Sequence, residues 1–488
     1  MTHPDRSTDN GQTSLSLEAP TGQPHHRSTD GHPAEHAAEP TWPCPFAWSW
    51  WGIRLGWQGS HPIHAGAENT TLILGPPRSG KTTGIIAPAI TEAPGPVVST
   101  STKTDVATLT LPWRQQAGRC WYYDPSGTTT PPAGTTPVRW SPIPGCRDWA
   151  TAVSRAHALT GAAATAHGEN AHWIERAEAL LAPLFHAADL VGLDMIWPLR
   201  WVLRRDLSEP LQALARHDGD ELAADTLQGI AETDERERSG IFSTAARILA
   251  AYRTPTAIDA TTNPNFDPHS FVHSRDTLYL AAPSHLQNQL APIIICLLDQ
   301  IRHHTYTRHP SWPPTLFALD ETANIAPLPD LPAIIAEGAS QGLVTITCLQ
   351  DLNQARHRWG PQADGFLTLH GIKIALGGIA DQNTLRQLSY LAGTQDITWT
   401  THGEQRTGLI RNVSWNQTVQ QRPRVPPEHI NTIPRGCAYL AHTHYTPRII
   451  SLHRPAIAQT RPAAAAWIWT RIKRAIETLL SPMTGGQR

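Results

Sequence analysis

Four residues early in the chain have the types and spacing needed to bind a phosphate chain. Gly75, Gly80, Lys81 and Thr82 fit the pattern G-x-x-x-x-G-K-[ST], in which backbone N–H groups of a glycine-rich loop surround phosphate oxygens. The lysine of this pattern reaches the β- and γ-phosphates of a nucleotide, and the final hydroxyl is a ligand of Mg²⁺. We therefore expect ATP and Mg²⁺ as cofactors. The residues expected to contact the nucleotide are Gly75, Pro76, Pro77, Arg78, Ser79, Gly80, Lys81, Thr82 and Thr83.

The sequence on either side of this loop predicts the local structure that phosphate binding needs. Residues 70–74 are a short run of β-branched and apolar side chains, which predicts a strand, and residues 83–90 have the pattern of a helix start. A loop between strand and helix presents its N–H groups and the positive end of the helix dipole to the phosphate. The alternative is an ordinary glycine turn beside an exposed lysine.

A second candidate site element lies far downstream, where the apolar run of residues 315–319 ends in Asp320 and Glu321. In a nucleotide-hydrolysing site the aspartate holds the water shell of Mg²⁺, and the glutamate polarises the attacking water. An Asp-Glu pair is also common at ordinary turns, so its weight comes from the phosphate-binding loop upstream. We expect Thr82 and Asp320 to be the Mg²⁺ ligands.

The next apolar run, residues 343–349, ends in Gln350. A glutamine at the end of the strand after Asp320 and Glu321 could contact the γ-phosphate and report its loss to a neighbouring element. The alternative is a solvated polar cap on the strand. The predicted catalytic residues are therefore Lys81, Glu321 and Gln350.

Composition limits the remaining functions. The chain has 488 residues and a net charge of −2, so no global basic field indicates a nucleic-acid partner and any such site must be local. Its six cysteines include no C-x-x-C pair, which favours buried free thiols in a reducing compartment. The pair His303 and His304 is expected at an exposed helix end rather than at a metal site.

No segment has the pattern of a signal peptide, and no apolar run approaches the ~20 residues that span a bilayer. We expect a soluble, cytoplasmic protein, and we leave open a peripheral contact with the inner face of the cell membrane. Two segments could make such a contact: residues 42–69, which are rich in tryptophan, and the amphipathic pattern within residues 456–488. Each has an alternative, which is packing against the chain's own core.

Strands alternate with helices before and after a long alanine-rich helical stretch, which predicts an α/β fold with a parallel sheet and a helical insertion. The predicted division is a disordered tail over 1–41, the tryptophan-rich lead-in over 42–69, a nucleotide-binding domain over 70–145 and 271–455, an inserted all-alpha domain over 146–270, and a C-terminal helix and tail over 456–488. Beyond Thr394 we expect finishing strands and an irregular arm.

Several motifs together resemble one family, the coupling proteins of conjugative type IV secretion. These are "GPPRSGKT", the run "LFALDETANIAPLPDLPAIIAEGASQGLVTITCLQDLNQARHRWG" with Gln350 and Gln354, and "W-x-x-x-A" at Trp173. The similarity extends over residues 69–453. It implies a RecA-like P-loop NTPase domain with an inserted all-alpha domain that recognises substrate, assembled as a homo-hexamer.

The same resemblance implies an ATPase that recruits conjugative DNA and translocates it to a type IV secretion channel. Its expected partners are single-stranded DNA, a relaxase or other secretion substrate, and the channel proteins. A nucleotide-dependent docking protein that recruits protein cargo without motor activity is the alternative. A double-stranded DNA pump of the cell-division class would need a C-terminal winged helix, which the sequence does not indicate.

Two departures from the family pattern limit what the resemblance implies. Family members usually begin with transmembrane helices, and no such segment is evident here. They also commonly carry an arginine after the Asp-Glu helix that reaches a neighbouring subunit's nucleotide, where this chain has Ala339. Arg356, Arg358 and Arg386 are the candidate replacements, and the sequence does not choose among them.

Overall fold

The computed structural model describes residues 51–66, 68–161, 171–217, 219–407 and 410–453. The predicted disordered tail over 1–41 and the predicted C-terminal helix over 456–488 lie outside these residues, as do Trp42, Trp48 and Trp50.

A twelve-stranded sheet forms the centre of the described structure, and two further strands, β11 and β12, form a separate pair. The strands are β1 Arg54–Gln58, β2 His61–His64, β3 Thr71–Leu74, β4 Val97–Ser101, β5 Cys120–Tyr123, β6 Thr136–Pro137, β7 Thr277–Ala281, β8 Thr315–Leu319, β9 Leu343–Leu349, β10 Ile372–Ala375, β11 Thr394–Thr407, β12 Ile410–Pro423, β13 Cys437–His442 and β14 Tyr445–Ser451. Their order in the large sheet is β2-β1-β14-β13-β10-β3-β9-β8-β4-β7-β5-β6. The strands from β10 to β6 in this order are parallel to their neighbours, whereas β2, β1, β14 and β13 form an antiparallel edge.

Helices cover the sheet and form the insertion. They are α1 Ala87–Glu92, α2 Asp105–Ala117, α3 Trp149–Gly161, α4 Ala171–Leu190, α5 Ile196–Arg204, α6 Ser208–Arg216, α7 Glu221–Glu232, α8 Glu235–Ile248, α9 Pro255–Asp259, α10 Pro268–Val272, α11 Gln287–Thr307, α12 Thr322–Ile325, α13 Leu331–Glu337, α14 Leu352–Trp359, α15 Phe366–Leu369, α16 Gln382–Leu391 and α17 Pro427–Asn431.

The central strands are buried on both faces, which is why they are nearly continuous apolar runs. Every residue of β3, β4, β7, β8 and β9 is buried. Alternate side chains enter opposite cores, so that Leu72 and Leu74 pack with the helical insertion and α11, whereas Ile73 packs with α1. The sheet is therefore the middle layer of a three-layer α/β arrangement.

The insertion lies between β6 and β7 and consists of α3 to α10. Its core is continuous with the core around α11. A buried histidine joins its parts, because the Nδ1 atom of His186 lies 2.8 Å from the carbonyl oxygen of Cys146 and its Nε2 accepts from the N–H of Asp220 at 3.0 Å. The insertion is thus packed onto the sheet layer and is not a loosely tethered module.

The tryptophan-rich lead-in enters the sheet. Its described part forms β1 and β2, and β1 pairs with β14 near the other end of the described chain. Trp51 is buried, and its indole Nε1–H donates to the carbonyl of Glu92 at 3.2 Å, beside an ion pair of 2.7 Å between Arg54 and Glu92. For this part of the segment the structure shows packing against the chain's own core, which was the alternative to a membrane contact.

The segment after Thr394 is not the irregular arm expected from sequence. Strands β11 and β12 pair residue by residue from Thr394 with Pro423 to Thr407 with Ile410. They form a regular two-stranded ribbon that is separate from the large sheet. The expected finishing strands are present as β11 to β14. Only the irregular arm was wrong, because many polar residues and glycine hid the regularity of the strand pattern.

Candidate functional site

The phosphate-binding loop follows β3 and has the backbone that its sequence predicts. Arg78 and Gly80 have positive φ angles of 63° and 103°, a conformation that glycine adopts freely and arginine rarely. Residues Thr82–Ile86 form a π-helical turn that continues into α1, with the N–H of Ala87 donating to the carbonyl of Thr82. The loop thus runs directly into a helix N-terminus, the geometry that suits an anion.

Close packing explains one glycine of the motif. A Cβ atom added at Gly75 would lie 2.9 Å from Ser79 Oγ and 3.0 Å from Cβ of Leu376. Ser79 Oγ is itself buried and has no hydrogen-bond partner among the described residues. A buried hydroxyl without a partner is costly, so its place inside the loop fits a site built for phosphate oxygens.

Lys81 folds back over the loop. Its side chain is buried, and its Nζ donates to the carbonyls of Gly75 at 2.6 Å and Pro76 at 3.1 Å. Both acceptors are neutral carbonyls, and Lys81 forms no ion pair with any of the described residues. The ammonium is therefore positioned to interact with an anion held by the loop.

Asp320 lies directly after β8 and meets the loop. Thr82 Oγ1 donates to Oδ2 of Asp320 at 3.1 Å, and Thr100 Oγ1 fixes the backbone by donating to the Asp320 carbonyl at 2.7 Å. Burial raises the pKa of the Asp320 carboxyl, Lys81 opposes this shift, and Glu321 adds to it. A buried carboxylate beside a hydroxyl is an oxygen donor set that suits Mg²⁺, so these residues fit the metal predicted from sequence.

Glu321 has a strained backbone. Its φ and ψ angles of 54° and 44° are left-handed, although it is not glycine, and such residues cluster at functional sites. Its carboxylate Oε2 accepts from Asn324 Nδ2 at 3.3 Å, and its N–H donates to Asp320 Oδ1 at 3.1 Å. The carboxylate is thus held by the first turn that follows the strand.

Gln350 follows β9, which lies between β3 and β8 in the sheet. The N–H of Gly75 donates to the carbonyl of Leu349 at 3.1 Å, which joins the start of the loop to the end of β9. The N–H of Gln350 donates to Oε1 of Gln354 at 2.9 Å. The strand order therefore brings Gln350 to the same sheet edge as the loop and Asp320, and its role as a sensor remains a prediction.

Three supporting residues were missed from sequence. Thr100 and Asn324 hold Asp320 and Glu321 as described above. Thr322 Oγ1 donates to the Leu319 carbonyl at 2.7 Å and accepts from the N–H of Cys348 at 3.1 Å, so it joins the ends of β8 and β9. Only the spacing of Asn324, three residues after Glu321, was a readable signal, because the other contacts depend on strand order.

The candidate replacements for a trans-acting arginine lie in different settings. Arg356 pairs with Asp364 at 2.9 Å, and Arg386 contacts Oε1 of Gln382 at 3.4 Å. Ala339, where the family commonly has arginine, is buried.

The histidine pair differs from expectation. His303 is exposed, but His304 is half-buried, and its pKa is lowered to about 4, chiefly by burial. The described ranges contain no group of three or more histidine, cysteine, aspartate or glutamate side chains that could hold a metal ion.

The fold and the site define a RecA-like P-loop NTPase architecture with a helical insertion. The family model described as "Type IV secretory system Conjugative DNA transfer" matches residues 50–451. The chain belongs to this family of conjugative coupling proteins.

Two conjugal transfer proteins TraG of Escherichia coli are relatives, at 24% identity over 421 residues and 23% over 418. Each alignment covers 78% of this chain and only 64% or 65% of the relative, so the chain spans less than two thirds of their length.

Solved structures of the bacterial conjugative coupling protein TrwB are similar in fold. The unbound monoclinic form of TrwBdeltaN70 matches with a TM-score of 0.63 at 16% identity, covering 84% of this chain and 91% of that one. TrwB in complex with ADP and Mg²⁺ matches with a TM-score of 0.59 at 15% identity, covering 84% of this chain and 96% of that one.

None of the helices in the described ranges has the length and hydropathy needed to cross a bilayer.

Proposed function

We propose that this chain binds ATP with Mg²⁺ between the phosphate-binding loop and the end of β8, and that hydrolysis drives transfer of conjugative DNA. The observation that carries the proposal is the contact between Thr82 and Asp320, which are 238 positions apart in sequence and 3.1 Å apart in space. This contact supports the proposal that two signals, each ambiguous in sequence, belong to one site.

Each residue has a role that follows from its position. Lys81 would exchange the carbonyls of Gly75 and Pro76 for phosphate oxygens, which offer its ammonium a stronger, charge-assisted hydrogen bond. Thr82 and Asp320 would hold Mg²⁺, which when bound neutralises charge on the phosphate oxygens. Burial raises the pKa of Asp320, and a bound Mg²⁺ would oppose this shift by favouring the ionised carboxylate.

Glu321 is the proposed general base. Its carboxylate would accept a proton from the water that attacks the γ-phosphorus, as the bond from that phosphorus to the bridging oxygen breaks. The left-handed backbone and the contact with Asn324 set the direction of the carboxylate. Gln350 would contact the γ-phosphate from the end of β9, the strand that lies between β3 and β8.

The similar structures support nucleotide binding by analogy of fold. TrwB has been solved in complex with ADP and Mg²⁺ and with the non-hydrolysable ATP analogue ADPNP, the second with a TM-score of 0.60 and 17% identity to this chain, covering 81% and 88%. Family membership supports conjugative DNA transfer as the process, with DNA, a relaxase or other secretion substrate, and the channel proteins as partners. In a homo-hexameric ring, the nucleotide sites of the subunits would be arranged around one common axis.

The alternative function is a docking protein that binds nucleotide to assemble and recruits protein cargo without motor activity. The two proposals differ in what DNA does to hydrolysis. We would measure ATP hydrolysis by the purified chain with and without single-stranded DNA, beside Lys81→Ala and Glu321→Gln. The motor proposal predicts DNA-stimulated hydrolysis that both variants lack. Hydrolysis by the wild-type chain that is no faster than that of Glu321→Gln, with or without DNA, would favour the docking protein.

A further inference from the structure

A groove lies at the amino-terminal ends of β3 and β10, whereas the nucleotide site lies at the carboxyl ends of the parallel strands. Its lining comes from the end of α16, the base of the β11–β12 ribbon and the turn between β13 and β14, and its volume is about 760 Å³. His442, just before that turn, pairs with Ile372, the first residue of β10, whereas the phosphate-binding loop follows the last residue of β3. The groove is therefore distinct from the nucleotide site.

The groove combines arginines with exposed aromatic side chains. Tyr390 is 85% exposed and Tyr445 is 43% exposed, and both line it. Arg386 and Arg424 also line it, are exposed, and contact only the neutral oxygens of Gln382 and Thr394 at 3.4 Å and 3.2 Å. No carboxylate belongs to the lining. Among the described residues, neither arginine has an acidic partner.

A buried lysine lies beneath the rim of this groove. Lys373 is only 5% exposed, and its Nζ lies 3.5 Å from Oγ1 of Thr443, a lining residue. Burial lowers the pKa of this ammonium, as expected for a cation without a carboxylate beside it. An anion in the groove would compensate this charge, so the lysine is a second, independent indication of an anionic occupant.

We infer that this groove binds a single strand of DNA, with arginines on the phosphates and bases stacked on Tyr390 and Tyr445. Aromatic side chains stack on any unpaired base, and a basic groove follows the phosphate backbone without reading sequence. Stacking on a tyrosine requires a base whose face is uncovered. The groove should therefore bind a single strand in preference to a duplex, in which neighbouring bases already cover these faces. The inference rests on the proposed function, because it assigns a contact site to the DNA that hydrolysis would move.

The test is fluorescence anisotropy of a labelled 20-nucleotide oligothymidylate, titrated with the full chain and its variants. Tyr390→Ala and Arg386→Ala are the groove variants. Trp113→Ala and Arg139→Ala are matched controls, because Trp113 is 63% exposed on α2 and Arg139 is exposed near β6, both away from the groove. Unfolding temperatures within about 2 °C of wild type would show that all four variants fold.

Each groove variant should weaken binding of the oligonucleotide about fivefold or more, and the controls should bind as the wild type does. Arg386→Ala should also reduce the slope of log K against log salt by about 0.7. An unlabelled duplex should compete less well than the single strand.

Groove variants that bind DNA as tightly as the controls would overturn the inference, as would a wild-type chain that binds no oligonucleotide. A change in oligomeric state in the groove variants, with unchanged DNA binding per subunit, would instead identify the groove as a contact between copies and also overturn it. Hydrolysis of ATP by the wild-type chain without DNA, and its loss in Lys81→Ala, are recorded separately. Failure of the groove and failure of the nucleotide site are thereby distinguished.

Discussion

The hydroxyl of Thr82 donates a hydrogen bond of 3.1 Å to Oδ2 of Asp320. This contact joins the first helical turn after the phosphate-binding loop to the end of β8. Because a hydroxyl and a carboxylate are both suitable Mg²⁺ ligands, the pair is the position at which the proposed metal would be held.

Thr82→Ala should therefore weaken binding of ADP about tenfold when Mg²⁺ is present, and should leave binding in EDTA nearly unchanged. The lost hydroxyl acts through the metal and not on the phosphates directly. Isothermal titration calorimetry under both conditions measures this. Thr108→Ala, an exposed threonine on α2, is the control. An equal loss with and without Mg²⁺ would argue against Thr82 as a metal ligand.

Asp320→Asn should stabilise the chain in the absence of metal. Burial raises the pKa of this carboxyl above its ordinary value of 3.8, so the folded chain holds the proton more tightly than the unfolded chain does. The associated stability is present in full below pH 3.8 and is lost as pH rises through the raised pKa. At pH 7 the ionised, buried carboxylate then costs free energy of folding.

The variant removes that cost of burying a charge, by about 0.5–2 kcal/mol, which is the usual size of a single stabilising substitution. Thermal unfolding in EDTA should show a higher midpoint for Asp320→Asn at pH 7, and the gain should shrink as pH falls toward 4. Addition of ADP and Mg²⁺ should reverse the order, since the wild type alone keeps the carboxylate for the metal. A destabilised variant at pH 7 in EDTA would contradict this account of Asp320.

Glu321→Gln should separate binding from hydrolysis. An amide cannot accept the proton of the attacking water, so the hydrolysis rate should fall about 10²–10⁴-fold while ATP affinity is retained. Single-turnover hydrolysis and calorimetry check the two quantities. Glu337→Gln, an exposed glutamate at the end of α13, is the control. Comparable hydrolysis by the Glu321 variant would remove this residue from the chemistry.

Arg114 holds the helix α2 to the sheet and tests the fold independently of the site. It is 1% exposed, and its guanidinium donates to the carbonyls of Ala93, Gly95 and Arg275 and to Oγ1 of Thr277. Lysine keeps the charge but cannot make this planar set of contacts. Arg114→Lys should lower the free energy of unfolding by about 2–4 kcal/mol, measured by urea denaturation, whereas Arg216→Lys at an exposed position in the last turn of α6 should change it little.

Local sequence was sufficient to predict the loop, the strand before Asp320 and Glu321, and the helical insertion. Each depends on a short pattern: glycines at fixed spacing, an apolar run, or alanine-rich helical periodicity. The family resemblance supplied the RecA-like fold in advance.

Contacts between distant segments were not predictable in this way. The pairing of β1 with β14 joins the two ends of the described chain, and nothing in residues 54–58 alone specifies that partner. The insertion of β9 between β3 and β8, which brings Gln350 to the site, is likewise a property of strand order. The left-handed backbone of Glu321 was hidden for another reason, because local propensity opposes it and only the surrounding contacts maintain it.

The central claim is that the loop and the end of β8 form one Mg²⁺–nucleotide site, and a double-mutant cycle tests it most directly. Affinity for ADP with Mg²⁺ would be measured by calorimetry for the wild type, Thr82→Ala, Asp320→Asn and the double variant. We predict that the losses are not additive, with a coupling energy of about 1 kcal/mol or more, as for residues that share a partner. Additive losses, or an unchanged affinity in Asp320→Asn, would contradict the claim.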